Sequence, residues 1–120
     1  MRTQALAIPL ALLFSAATAQ EAPPRAATPK EERAILQAVK DNLKDPDSAR
    51  ISGVKISADG KTVCGFVNAK NSFGGYSGNS AFYVMAFSRA KESVYVLVSI
   101  DNGRESATAS MCEKEGVRLY

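Results

Sequence analysis

The sequence has no histidine, no tryptophan and only two cysteines in 120 residues. Without histidine there is no Ser-His-Asp or Cys-His nucleophile system, and no imidazole to ligate a metal or carry a proton near neutral pH. The spacing of Cys64 and Cys112 fits neither a C-x-x-C redox pair nor a zinc cluster. The apolar stretch from Ala5 to Phe14 falls short of the ~20 residues that span a bilayer as a helix. Basic residues do not cluster. The 15 Lys and Arg stand against 12 Asp and Glu with no run of either sign, which leaves no electrostatic footprint for nucleic acid. No two carboxylates are placed on one strand face as a glycosidase pair would be. No enzymatic activity, metal or cofactor is expected from this inventory.

What is present begins with an address. Arg2, the apolar run Ala5–Phe14 and the small-residue triplet Ala17-Thr18-Ala19 form the pattern of a secretory signal peptide, with cleavage expected before Gln20. No cysteine follows the apolar run for lipid attachment, so the cleaved chain is expected to keep no stable membrane anchor. This reading places the protein in the periplasm or outside the cell. In such a compartment an even cysteine count predicts a disulfide between Cys64 and Cys112. Closing so long a loop contributes about 4 kcal/mol on a chain-entropy account, a large share of the ~5–15 kcal/mol that holds a small domain together.

Residues 20–28 carry prolines and alanines but no large side chain to bury, and read as a flexible leader before a single domain over 29–120. Thr28-Pro29-Lys30-Glu31 combines a capping box with proline at the first helical position. Ile35, Leu36, Val39 and Leu43 then recur at helical spacing. A helix is predicted from Pro29 to Lys44, ending where Pro46 disfavours helical geometry at Asp45. Lys44–Arg50 reads as a short turn capped by Asp45, its two carboxylates lacking the further oxygen ligands of a calcium loop. Four strands follow: Arg50–Ser57, Lys61–Ala69, Ser80–Ser88 and Ser93–Ile100, with an Asp59-Gly60 hairpin between the first two. In the fourth strand Val94, Val96, Val98 and Ile100 alternate as an inner face. A short helix is predicted in the tail, ending near Gly116. Both faces of the last two strands are apolar, so the tail or a partner is expected to cover part of the second face. The fold class is α+β: an N-terminal helix packed on an antiparallel four-stranded meander, with a short C-terminal helical tail tethered by the disulfide.

The stretch NAKNSFGGYSGNSAF, residues 68–82, lies between the second and third strands. It lacks the lysine and the following helix of a phosphate-binding loop. Asn68, Lys70, Asn71, Phe73, Tyr76 and Asn79 are the candidate binding residues, since an aromatic, amide-rich loop on a sheet suits adaptable polar contact. In the competing reading the glycines shape a wide connection and Phe73 or Tyr76 folds back on the core. Ser72 and Ser77 also lie near Lys70, which leaves a Ser-Lys dyad open.

KDPDSARI followed by VCGFVNAKNSFGGYSGNSAFYV and a lone cysteine near the C-terminus resembles a family of small exported bacterial proteins of uncharacterised function. The matching positions are Asp45, Pro46, Ser48, Ala49, Cys64, Gly65, Val67, Asn68, Ala69, Lys70, Asn71, Phe73, Gly74, Gly75, Tyr76 and Gly78. Phe66 departs from the pattern, where a polar or acidic residue is expected. The resemblance implies export and the domain boundaries but no activity. The expected function is that of a noncatalytic binding module that contacts a protein or glycan of the cell envelope through residues 68–80. The alternatives are an accessory subunit docking on a larger envelope complex through its second sheet face, or a small secreted hydrolase.

Overall fold

The computed structural model describes residues 3–5, 9, 11, 22–101 and 107–120, so the signal-peptide reading of residues 1–19 falls almost wholly outside the described residues. Helix α1 spans Pro29–Lys40 and opens on the expected capping box. Thr28 Oγ1 accepts from the Glu31 amide at 3.2 Å, and the Thr28 amide donates to Glu31 Oε1 at 3.1 Å. The helix ends one turn earlier than its apolar spacing predicts. Asn42 uses its side-chain amide on the Ala38 carbonyl, while its backbone amide and that of Leu43 turn to Val39 and Lys40. These tighter bonds drop Leu43 against the core instead of prolonging the helix.

A single turn of 3₁₀ helix, Pro46–Ser48, leads into β2 (Arg50–Ile56), β3 (Thr62–Asn68), β4 (Ser80–Arg89) and β5 (Glu92–Ile100). The sheet has five strands, not four. The segment expected to be a flexible leader supplies β1, Arg25–Ala26, paired antiparallel with Lys55 and Ile56 of β2. Hydropathy could not signal it, because such pairing uses backbone groups and needs no apolar side chain. Arg25 fixes the segment by forking onto the Glu31 carboxylate at 2.8 and 2.9 Å. That bond, with the capping contacts of Thr28, holds the Glu31 carboxyl well below its ordinary range, at about 2. The strand order β1-β2-β3-β4-β5 is an antiparallel meander.

The face under α1 carries the main core: Ile35 and Val39 from the helix, packed on Val54, Ile56, Val63, Val67, Phe82 and Val84. Gly65 sits opposite Phe82 across the β3–β4 ladder, where the ring occupies the space a side chain at 65 would fill. On the opposite face, helix α2 (Ala107–Lys114) lies against β3 and β4. Cys64 and Cys112 are joined by a disulfide, and both are fully buried with Tyr83 and Val117. Gly116, with φ +83°, reverses the chain after α2, and the Val117 amide closes onto the Cys112 carbonyl at 2.9 Å. The last residues then run over the outer face of the sheet. Lys55 Nζ donates to the Arg118 carbonyl, and the Tyr120 ring meets Phe66 edge to face at 5.5 Å. The tail therefore covers part of the second face, as the apolar pattern requires.

The fourth strand is turned over relative to its predicted orientation. Tyr95, Leu97 and Ile100 pack on the α1 side, while Val94, Val96 and Val98 lie exposed on the outer face. The register slips between Tyr83/Ser99 and Val84/Leu97. This bulge inserts one residue, so Leu97 and Ile100 both face the core and the alternation breaks. A strand apolar on both faces gave the period-2 pattern no means of choosing between them. Among the described residues no helix is long and apolar enough to cross a membrane.

Candidate functional site

Residues 68–80 extend the β3–β4 hairpin. Asn68, which closes β3, accepts from the Gly78 amide through Oδ1 at 3.1 Å. Lys70 and Tyr76 form an isolated antiparallel bridge. Beyond them Asn71 closes the tip: its amide donates to the Gly75 carbonyl at 2.8 Å, its carbonyl accepts from Gly74, and its Oδ1 accepts from Phe73 and Gly75. Gly74 and Gly78 take φ of +79° and +92°, a conformation that favours glycine. Asn68 and Asn71 are thus committed to the loop's own backbone.

The Lys44–Arg50 segment braces this extension from the side. Ser48 Oγ donates to the Asp45 carbonyl at 2.7 Å and accepts the Lys70 amide at 2.9 Å. Tyr76 Oη donates to the Ser48 carbonyl at 3.2 Å. The Arg50 guanidinium lies 4.8 Å from the Tyr76 ring centroid and the Lys70 ammonium 5.8 Å, both within cation–π range. Lys44 Nζ reaches Ser72 Oγ at 3.2 Å. Asp45 sits at the start of the 3₁₀ turn but makes no side-chain cap bond, so the predicted capping is absent; its carbonyl accepts the Ser48 amide and hydroxyl.

The two aromatic residues have separate fates. Tyr76 is packed, 39% exposed, between Ser48 and the cations, rather than in the core. Phe73 is 97% exposed at the tip. The binding set therefore divides. Phe73 is displayed, Lys70 and Tyr76 form a cationic and aromatic flank, Asn68 and Asn71 are internal struts, and Asn79 is exposed. Sequence reasoning missed Ser48, Arg50 and Lys44, which lie up to 28 residues away from their loop partners. Their segment has the composition of a local turn, and no periodicity links the two stretches. The hydroxyls near Lys70 are otherwise engaged, with Ser77 Oγ donating to the Ala69 carbonyl and Ser72 Oγ accepting from Lys44. What remains available is the exposed Phe73 ring at the tip and, apart from it, the positive charge of Arg50 and Lys70 over the Tyr76 ring, groups suited to recognition.

A second exposed surface lies across the sheet from α1. Met85, Phe87, Val94, Val96 and Val98 are each 39–49% exposed there, with Met85 directly opposite Val96 and Phe87 opposite Val94. Among the described residues no group of three or more His, Cys, Asp or Glu is placed to hold a metal ion. No family model, curated protein or solved structure matches the chain.

Proposed function

We propose that the chain is an exported, noncatalytic binding module of the bacterial envelope or exterior, and that the 68–80 extension is its contact element for a protein or glycan. The observation that carries this reading is the Phe73 ring, almost wholly in water at the tip of a loop whose backbone is tied down on both sides. A braced loop loses little freedom on contact, which favours affinity. The flanking Arg50 and Lys70 add charge for orientation. The disulfide, the signal-like N-terminus and the resemblance to small exported bacterial proteins all support a periplasmic or secreted location. A benzophenone amino acid placed at position 73 and irradiated in the native host is expected to give a discrete adduct that the same group at Lys91 does not give. Equal background at both positions rejects the reading. Phe73→Ala is expected to abolish the contact while changing stability by less than ~0.5 kcal/mol, because the ring packs on almost nothing.

The apolar outer face of β4 and β5 favours a second reading, an accessory subunit seated on a larger envelope complex. The same photoreactive group at Val96 tests it, an adduct with a larger protein being the supporting result.

A further inference from the structure

We propose that β5 is a self-pairing edge, and that two copies of this chain join antiparallel through it into one continuous sheet. The inference is independent of the 68–80 contact. β5 ends the sheet, and among the described residues no strand pairs with its outer side. It is nine residues long, and from Ser93 to Ile100 it has no charge, proline or glycine. Charge and proline are among the devices that ordinarily blunt an edge, and the one such device in that stretch is the bulge toward its C-terminal end. The opposite edge is managed, since β1 is two residues long and one of them is Arg25.

The side chains of β5 are self-complementary about Val96. A two-fold axis there sets Val96 against Val96, Val94 against Val98 and Tyr95 against Leu97, and each pair lies on a single face. Val94, Val96 and Val98 are outside, while Tyr95 and Leu97 are on the α1 side. An isologous contact requires this kind of self-match. Tyr95 and Leu97 are only half-buried, so α1 leaves their outer flanks open to a partner row. The charges agree as well. Arg89 and Lys91 outweigh Glu92 at the hairpin end of the strand and Asp101 follows its other end, so antiparallel pairing brings opposite signs together at both ends. The bulge at Val98 confines the regular pairing to residues 94–98.

The oxidised, exported chain is expected to be a dimer by sedimentation velocity and light scattering. Val96→Lys places two ammonium groups at the axis, with Cβ atoms ~5 Å apart, and is expected to weaken association at least ~10-fold. Met85→Lys, on the same outer face but away from the edge, is expected to leave the dimer intact. Directly opposed residues of an antiparallel pair have Cα atoms ~4.5–5.5 Å apart, within disulfide reach. Val96→Cys is therefore expected to cross-link two copies under mild oxidation, even if the lysine variant fails to fold. A wild-type monomer at all concentrations overturns the proposal, as does a dimer indifferent to Val96→Lys. A dimer broken by Met85→Lys overturns it in favour of face-to-face stacking, and a dimer without the Val96→Cys cross-link refutes the register.

Discussion

A Cβ added to Gly65 would lie 2.9 Å from Phe82 Cζ and 3.1 Å from the Ser52 carbonyl oxygen, so neither the ring nor the neighbouring strand can stay where it is. Phe82 is fully buried and among the largest side chains of the core, and protein interiors are close-packed. Gly65→Ala is expected to destabilise the fold by about 1–3 kcal/mol, read as a lower denaturant midpoint with an unchanged slope. Gly53, by contrast, accommodates a bulge in β2 through its positive φ and lies under the Phe66 ring. Phe66, which departs from the resembled pattern, fills the space between that glycine and Tyr120. Single residues were unevenly legible in the sequence. The Thr28–Glu31 capping box could be read because both partners lie within one turn. The positions of Phe73 and Tyr76 could not, because their difference depends on Ser48 and Arg50, far along the chain.

Among the elements, the β4–β5 hairpin has the sharpest conflict between local preference and fold. Its turn places Ala90 and Lys91 at φ of +49° and +68°, both in the left-handed region. A two-residue turn of this hand suits the twist of the strands but favours Asn-Gly over Ala-Lys. Each non-glycine residue held there costs about 1 kcal/mol. Replacing Ala90-Lys91 by Asn-Gly is expected to stabilise the domain by about 1–2 kcal/mol, measured as an increase in Tm of several degrees. The strands themselves were located from sequence to within about one residue at each end. The orientation of β5 was not, because Tyr95 and Leu97 are as apolar as Val94 and Val96. Only the placement of α1, fixed by Ile35 and Val39, selects the inner face. β1 escaped notice for a different reason, since two backbone pairings leave no mark on composition.

For the whole molecule, the disulfide lies within the second core and joins β3 to the helix that covers part of the outer face. Cys64→Ala/Cys112→Ala is expected to cost about 4 kcal/mol, measured by urea unfolding, and to release α2 and the tail first. The α+β class, the meander and the pairing of the cysteines followed from sequence because each rests on local patterns or on a count of two. The sheet's fifth strand and the bracing of the loop rest on contacts between distant segments. The sequence separation of 48 between Cys64 and Cys112 has a temporal meaning as well as a spatial one. Synthesis delivers Cys64 first, and until Cys112 is added its thiol has no mate in its own chain. A chain halted between Cys64 and Cys112 carries a lone reactive sulfur that a chain extended past Cys112 conceals. The bond is therefore a chemical record that synthesis has passed Cys112, and a thiol-reactive label separates such molecules from those interrupted between the two cysteines.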